Sequence, residues 1–173
     1  MYYANNMSEN EILKDKLVNW LQDEGFQVSL RASQPNADFS LRIDNAFGIG
    51  YIVNVFKHTG KSILTTVITL LQPPEVQELF ASIDEKERLR FIEGLKRELL
   101  KIGADFNIPY DIGRIAILRV LYVEDLTRTS FIDGIRKVRD GAIFIVSSLS
   151  QKIPSGTTPT QPSPSQSNST PYG

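Results

Sequence analysis

Residues 19–28 read Asn-Trp-Leu-Gln-Asp-Glu-Gly-Phe-Gln-Val, and the hydrophobic rhythm changes inside them. Upstream, Ile12, Leu13, Leu17, Trp20 and Leu21 recur at the spacing of one helix face. Downstream, Phe26, Val28 and Leu30 alternate with Gln27, Ser29 and Arg31, the period of a half-buried strand. Gly25 lies between the two patterns, suited to the left-handed conformation that ends many helices. Ser8 and Glu11 have capping-box spacing at the far end. The joint therefore predicts a helix that hands the chain directly to a strand. It also places Trp20, the sole tryptophan, on the core stripe and not on a ligand platform.

Working outward, the period of two persists. Phe39, Leu41 and Ile43 alternate with Ser40, Arg42 and Asp44, after a turn at Ser33-Gln34-Pro35-Asn36. A second turn spans Asn45 to Gly48, and Tyr51, Val53 and Val55 mark a third strand. Ser62 to Leu71 is rich in β-branched residues and reads as a fourth. Pro73-Pro74-Glu75 stops that strand and opens a short helix, because proline suits a first helical turn. Asp84 caps a long amphipathic helix through Leu89, Ile92, Leu95, Leu99 and Ile102, ending at Gly103. Phe106, Ile108 and Tyr110 alternate as a strand that Pro109 confines to an edge or a bulge. Arg114 to Val123 is apolar on both faces, the pattern of a central strand. Asp125 or Thr127 caps a last helix with Phe131, Ile135, Val138, Ala142, Ile145 and Leu149 on its buried side. Gly134 and Gly141 inside it cost about 1 kcal/mol each relative to alanine, which close packing on the sheet would explain. The expected fold is α+β, in the order α-β-β-β-β-α-β-β-α, with helices packed on a mainly antiparallel sheet.

The chain divides into a short polar start at residues 1–7, one domain over 8–151, and a Pro/Ser/Thr-rich segment over 152–173. That last segment cannot bury enough apolar surface to offset its ordering entropy, so disorder is expected. Both Met1 and Met7 are candidate starts.

Composition narrows the function. The 173 residues carry a net charge of -1, without the basic excess usual in a free-standing nucleic-acid binder. The absence of cysteine excludes thiolate nucleophiles, disulfides and cysteine-ligated metals. No basic-then-apolar leader stands at the N-terminus, and no apolar run nears the roughly 20 residues that span a bilayer. A cytoplasmic protein without a membrane partner or a cofactor is the expectation.

Several motifs resemble active sites and fail on context. His58-Thr59-Gly60-Lys61-Ser62 ends like a phosphate-binding loop, yet Val55 stands where the earlier glycine belongs and a strand follows. It reads as a hairpin tip. His58, the single histidine, lies between Lys57 and Lys61 on that tip, away from the buried setting a catalytic relay needs. Gly48-Ile49-Gly50 is too short for a dinucleotide fingerprint, and Asn168-Ser169-Thr170 lacks the secretory context of a glycosylation site. Asp38, Asp44, Asp105 and Asp111 lie near strand ends, where local turn-forming is their ordinary role. Arg136, Lys137 and Arg139 make a dense basic turn that could meet an acidic partner.

The joint Trp20-Leu21-x-x-Glu24-Gly25-Phe26-x-Val28, and Leu126-Thr127 leading into Phe131 and Ile135, carry a resemblance. They resemble an uncharacterised archaeal family, domain of unknown function 2299, with the type III secretion chaperone-like fold. That fold implies a small, often dimeric protein that holds segments of other proteins. It brings no catalytic residues. The leading expectation is a non-enzymatic protein-binding module, chaperone- or adaptor-like, with a protein or peptide partner and a homodimeric state. Its candidate contact residues are Phe106, Ile108 and Tyr110 on an exposed strand, with Arg136, Lys137 and Arg139 on the last helix. The alternative is a small-molecule binder or enzyme built from the carboxylates and Tyr51, Tyr110 or Tyr122.

Overall fold

The computed structural model describes residues 8–32, 36–44, 51–58 and 61–153. The expected turns at 33–35 and 45–50, the hairpin residues 59–60 and the segment 154–173 lie outside the described residues. In chain order the elements are α1 (Glu9–Asp23), β1 (Gln27–Arg31), β2 (Ala37–Asp44), β3 (Tyr51–His58), β4 (Lys61–Leu71), α2 (Pro74–Ser82), α3 (Glu85–Ile102), β5 (Asp105–Asn107), β6 (Arg114–Tyr122) and α4 (Arg128–Lys152). A single 3-10 turn, Val123–Asp125, precedes α4.

The capping chemistry read from the sequence is in place. Ser8 Oγ accepts from the Glu11 amide while Glu11 reaches back to the Ser8 N–H at 2.8 Å. Those hydrogen bonds to Ser8 hold the Glu11 carboxyl below the usual carboxylate range. At the other end of α1, Gly25 takes φ 81°, the Gly25 N–H bonds Gln22 C=O and the Phe26 N–H bonds Leu21 C=O. This pair of bonds satisfies two carbonyls of the last turn and aims the chain into β1. The α3 helix ends the same way at Gly103. Of the two candidate caps for α4, Thr127 does the work, in reciprocal bonding with Ser130.

All six strands form one antiparallel sheet in the order β1-β2-β3-β4-β6-β5. The first four make the expected meander, and β6 inserts between β4 and β5. Cross-strand partners fall on one face, so the register sorts the two sides. Leu41, Val53, Thr66 and Arg119 form one row, and Ile68, Ile117 and Phe106 another. These rows face the helices. Gly134 of α4 approaches Arg119 and Leu121, and Gly141 approaches Ile117 and Leu99, which confirms the close packing expected of both glycines. The core between the layers includes Leu17, Leu64, Phe80, Ile115, Phe131 and Ile145, all buried. On the outer face, Ser40 donates to Asn54 Oδ1 at 2.6 Å as a buried cross-strand pair.

Three features depart from the expectation. The strand β5 stops at Asn107, so Ile108 and Tyr110 lie beyond it; Pro109 has no N–H with which to extend the ladder. The α4 helix runs to Lys152 and Ile153 is buried, past the expected boundary at 151. Arg119 faces the helix layer. Its aliphatic stem lies against α4 and its guanidinium donates to Gly103 C=O at 3.4 Å, beside the carbonyl end of α3.

Candidate functional site

The joint at residues 19–28 turns out to be bolted to α4. The Trp20 ring tilts against Phe131, with centroids 6.1 Å apart. Arg128 donates to Asp23 at 3.0 Å and to Glu24 at 3.2 Å, and Arg136 donates to Glu24 at 3.0 Å. Glu24 thus accepts from two arginines about two turns apart on α4. An open cleft of about 490 Å³ at the start of α4 is lined by Glu24, Thr127, Arg128, Ser130, Asp133 and Arg136. Its arginines are already matched by Asp23 and Glu24, so its charge is spent within the fold.

The expected basic turn does not form one patch. Arg136 serves Glu24, Lys137 pairs with Asp133 at 2.7 Å, and Arg139 pairs with Asp140 at 2.9 Å. The strand-end carboxylates are also apart. Asp44 holds Arg42, Asp105 stands 3.9 Å from Arg119, and Asp111 accepts from the Gly113 N–H in a tight turn. Asp38 sits at the irregularity of β2, one oxygen buried without a hydrogen-bond partner among the described residues. Among the described residues no three His, Cys, Asp or Glu side chains come together as a metal site. Tyr110 lies under the Arg88 guanidinium, 5.0 Å from the ring centroid. Tyr122 is on the outer face of β6. The side chains of Tyr51 and His58 lie outside the described residues; His58 pairs with Lys61 across the β3–β4 hairpin, so strand follows strand where a phosphate loop would need a helix.

A second open groove, about 320 Å³, runs between α3 and α4 past Phe91, Gly94, Arg97 and Phe144. A Cβ at Gly94 would meet nothing within 4 Å. Gly94→Ala is therefore expected to stabilise the protein by about 0.5–1 kcal/mol through helix propensity alone, read as a higher urea midpoint at unchanged slope. A loss would mean that the groove is filled in the folded protein.

The outer face of the sheet also carries exposed apolar groups. On β4 and β6 the outward pairs are Ile63 with Tyr122, Thr65 with Val120, Val67 with Leu118 and Thr69 with Ala116. Tyr122 is 53% exposed and Leu71 64% exposed on that side. The described helices lie on the opposite face, and here Leu71, Val120 and Tyr122 are exposed where an antiparallel sheet more often presents polar groups, while Ser40 and Asn54 at its β2–β3 end are buried.

The sequence over residues 13–149 matches the family described as Uncharacterized conserved protein (DUF2299). The chain belongs to the DUF2299 family. Its fold is similar to that in a crystal structure of an uncharacterized protein from Methanothermobacter thermautotrophicus, an archaeon. The TM-score is 0.68 at 17% identity, covering 82% of this chain and 99% of that one. Among curated proteins nothing matches. The residues on which the DUF2299 likeness was first read now have structural roles. Trp20 and Glu24 lock α1 to α4, Gly25 ends α1, and Thr127 caps α4. Glu24 could not be assigned from the sequence, because its partner Arg136 lies 112 positions away. Among the described residues no helix is long and apolar enough to cross a membrane.

Proposed function

We propose that this DUF2299 protein is a cytoplasmic, non-enzymatic protein-binding module, chaperone- or adaptor-like, that holds its partner against the outer face of the sheet. The observation behind this reading is the apolar outer face of β4 and β6, over which no described helix lies: Val120, Tyr122 and Leu71 are exposed on it, and Val67 and Leu118 beside them are half-buried. Such a face offers dispersion contacts and hydrophobic burial over several strands at once. The resemblance to the type III secretion chaperone-like fold supports the same reading. The edge expected to bind through Phe106, Ile108 and Tyr110 is weaker support. Its ladder is three residues long, Ile108 is buried, and Tyr110 is engaged by Arg88. The small-molecule alternative takes second place, since among the described residues its carboxylates and Tyr110 stand apart.

A photo-crosslinking residue placed at Val120 tests the proposal in living cells. A discrete adduct with another protein is expected from position 120 and not from Glu93, on the solvent side of α3. Adducts absent at 120, or confined to a second copy of this chain, would remove the partner-holding role.

A further inference from the structure

We infer that two copies of the chain join edge to edge through β1, continuing the sheet from one protomer into the other. This goes beyond the partner-holding face, which lies on β4 and β6 at the middle of the sheet, and neither depends on the other.

The two edges of the sheet differ in how they are protected. The β5 edge is three residues long and Pro109 follows within two positions, both devices that discourage strand addition. The β1 edge has five residues, pairs with β2 on one side, and carries no proline, lysine or bulge. Among the described residues nothing pairs with its outer side, which leaves its backbone able to add a strand. Leu30 then supplies the second observation. It pairs with Leu41, which is fully buried beneath the helix layer, so Leu30 points to the same covered side. Yet Leu30 is 68% exposed. A large apolar side chain on the inner face of an unprotected edge lacks a neighbour to complete its cover.

A second copy supplies that neighbour in a self-complementary register. In an antiparallel β1–β1 pair centred on Ser29, Ser29 faces Ser29, Val28 faces Leu30, and Gln27 faces Arg31. The apolar pairs fall on the covered side and the polar pairs on the outer side, as in β1 itself. No like charges stand opposite each other, and the only charged residue of the strand, Arg31, meets an amide. The two-fold axis through Ser29 keeps both helix layers on one side, which brings the partner's Phe26, Val28 and α1 towards Leu30. Both β5 edges remain outermost and blunted, so the assembly closes at two instead of growing into a fibre.

The chain contains no cysteine, which makes the register directly testable. Opposed residues in an antiparallel pair have Cα atoms about 4.5–5.5 Å apart, inside the span a disulfide bridges. In the full-length protein, Ser29→Cys should give nearly complete covalent dimer under mild oxidation, while Asn107→Cys at the other edge should stay monomeric on a denaturing gel. Without oxidant, sedimentation should show the unmodified protein as a dimer. Ser29→Asp, which sets two carboxylates face to face, should weaken that dimer about tenfold or more. A monomer throughout the micromolar range overturns the inference. So does a dimer that cross-links as well through position 107 as through 29, or one that Ser29→Asp leaves intact while its circular dichroism shows it folded.

Discussion

Phe131→Ala is expected to lower the unfolding free energy by about 3–5 kcal/mol, the range for removing a fully buried aromatic ring. Phe131 has no exposed surface, and it occupies the place where α1 and α4 meet, its ring tilted against Trp20. A domain of this size holds about 5–15 kcal/mol in all, so the loss takes about a fifth or more of its stability. Thermal midpoints should fall by roughly 6–20 °C. Phe131→Leu, which keeps most of the volume, should recover the larger part. Trp20→Ala should cost less than Phe131→Ala, since the indole is only partly buried and Lys16 Nζ lies over its ring, 4.8 Å from the centroid. Denaturant titrations of the three variants read these differences directly. A loss under about 1 kcal/mol for Phe131→Ala would mean that α1 is not seated on α4 through this ring pair.

That ring pair shows how far the sequence carries. Trp20 and Phe131 were each legible as core residues, because each falls on a helical stripe. Their contact was not, because periodicity gives the face of a helix and not what the face meets. The same division holds for the polar residues. Ser8, Gly25, Asp84, Gly103 and Thr127 act on backbone within a few positions of themselves, so their roles could be read locally. Glu24 and Arg119 act across the fold, on α4 and on the end of α3, and local patterns contain no trace of those partners. Strand order divides likewise. The meander β1 to β4 follows from short turns, whereas the placing of β6 beside β4 is a long-range choice made after α2, α3 and β5.

The apolar outer face was partly legible in an indirect way. Arg114 to Val123 reads as a strand buried on both sides, and among the described residues one of those sides has no helix over it. The mismatch between that apolar pattern and the exposure of Val120 and Tyr122 is the physical ground for the proposed partner. At β1 the corresponding sign is smaller, one leucine whose alternation says inside while its exposure says outside. Neither sign could be read before the layers were known, because burial depends on what lies above a strand and the sequence gives only which residues share a side.

Gly141→Leu is expected to cost about 3 kcal/mol, and it tests the seam where α4, α3 and β6 converge. A Cβ at this position would already stand 3.0 Å from Ile117 Cγ2 and 3.0 Å from Leu99 Cδ2. Ile117 belongs to an interior strand that cannot retreat without moving its ladder, and Leu99 is fully buried in α3. A leucine must therefore push α4 off the sheet or leave its rotamer wells, and either response costs more than the roughly 1 kcal/mol of helix propensity gained over glycine. Gly141→Ala separates the two effects: the propensity gain remains while the clash shrinks to one methyl group, so a net loss of about 1 kcal/mol is expected. At Gly134 the nearest atom to an added Cβ is Arg119 Cγ at 3.3 Å, part of a flexible chain reaching solvent, and Gly134→Ala should be close to neutral. The ordering Gly141→Leu, Gly141→Ala, Gly134→Ala, from most to least destabilising, follows from how far each neighbour can yield. Urea midpoints establish the ordering. Hydrogen exchange should show lost protection in β6 and α3 for the leucine variant, and an undiminished midpoint for that variant would mean that α4 does not pack on the sheet at the distance described.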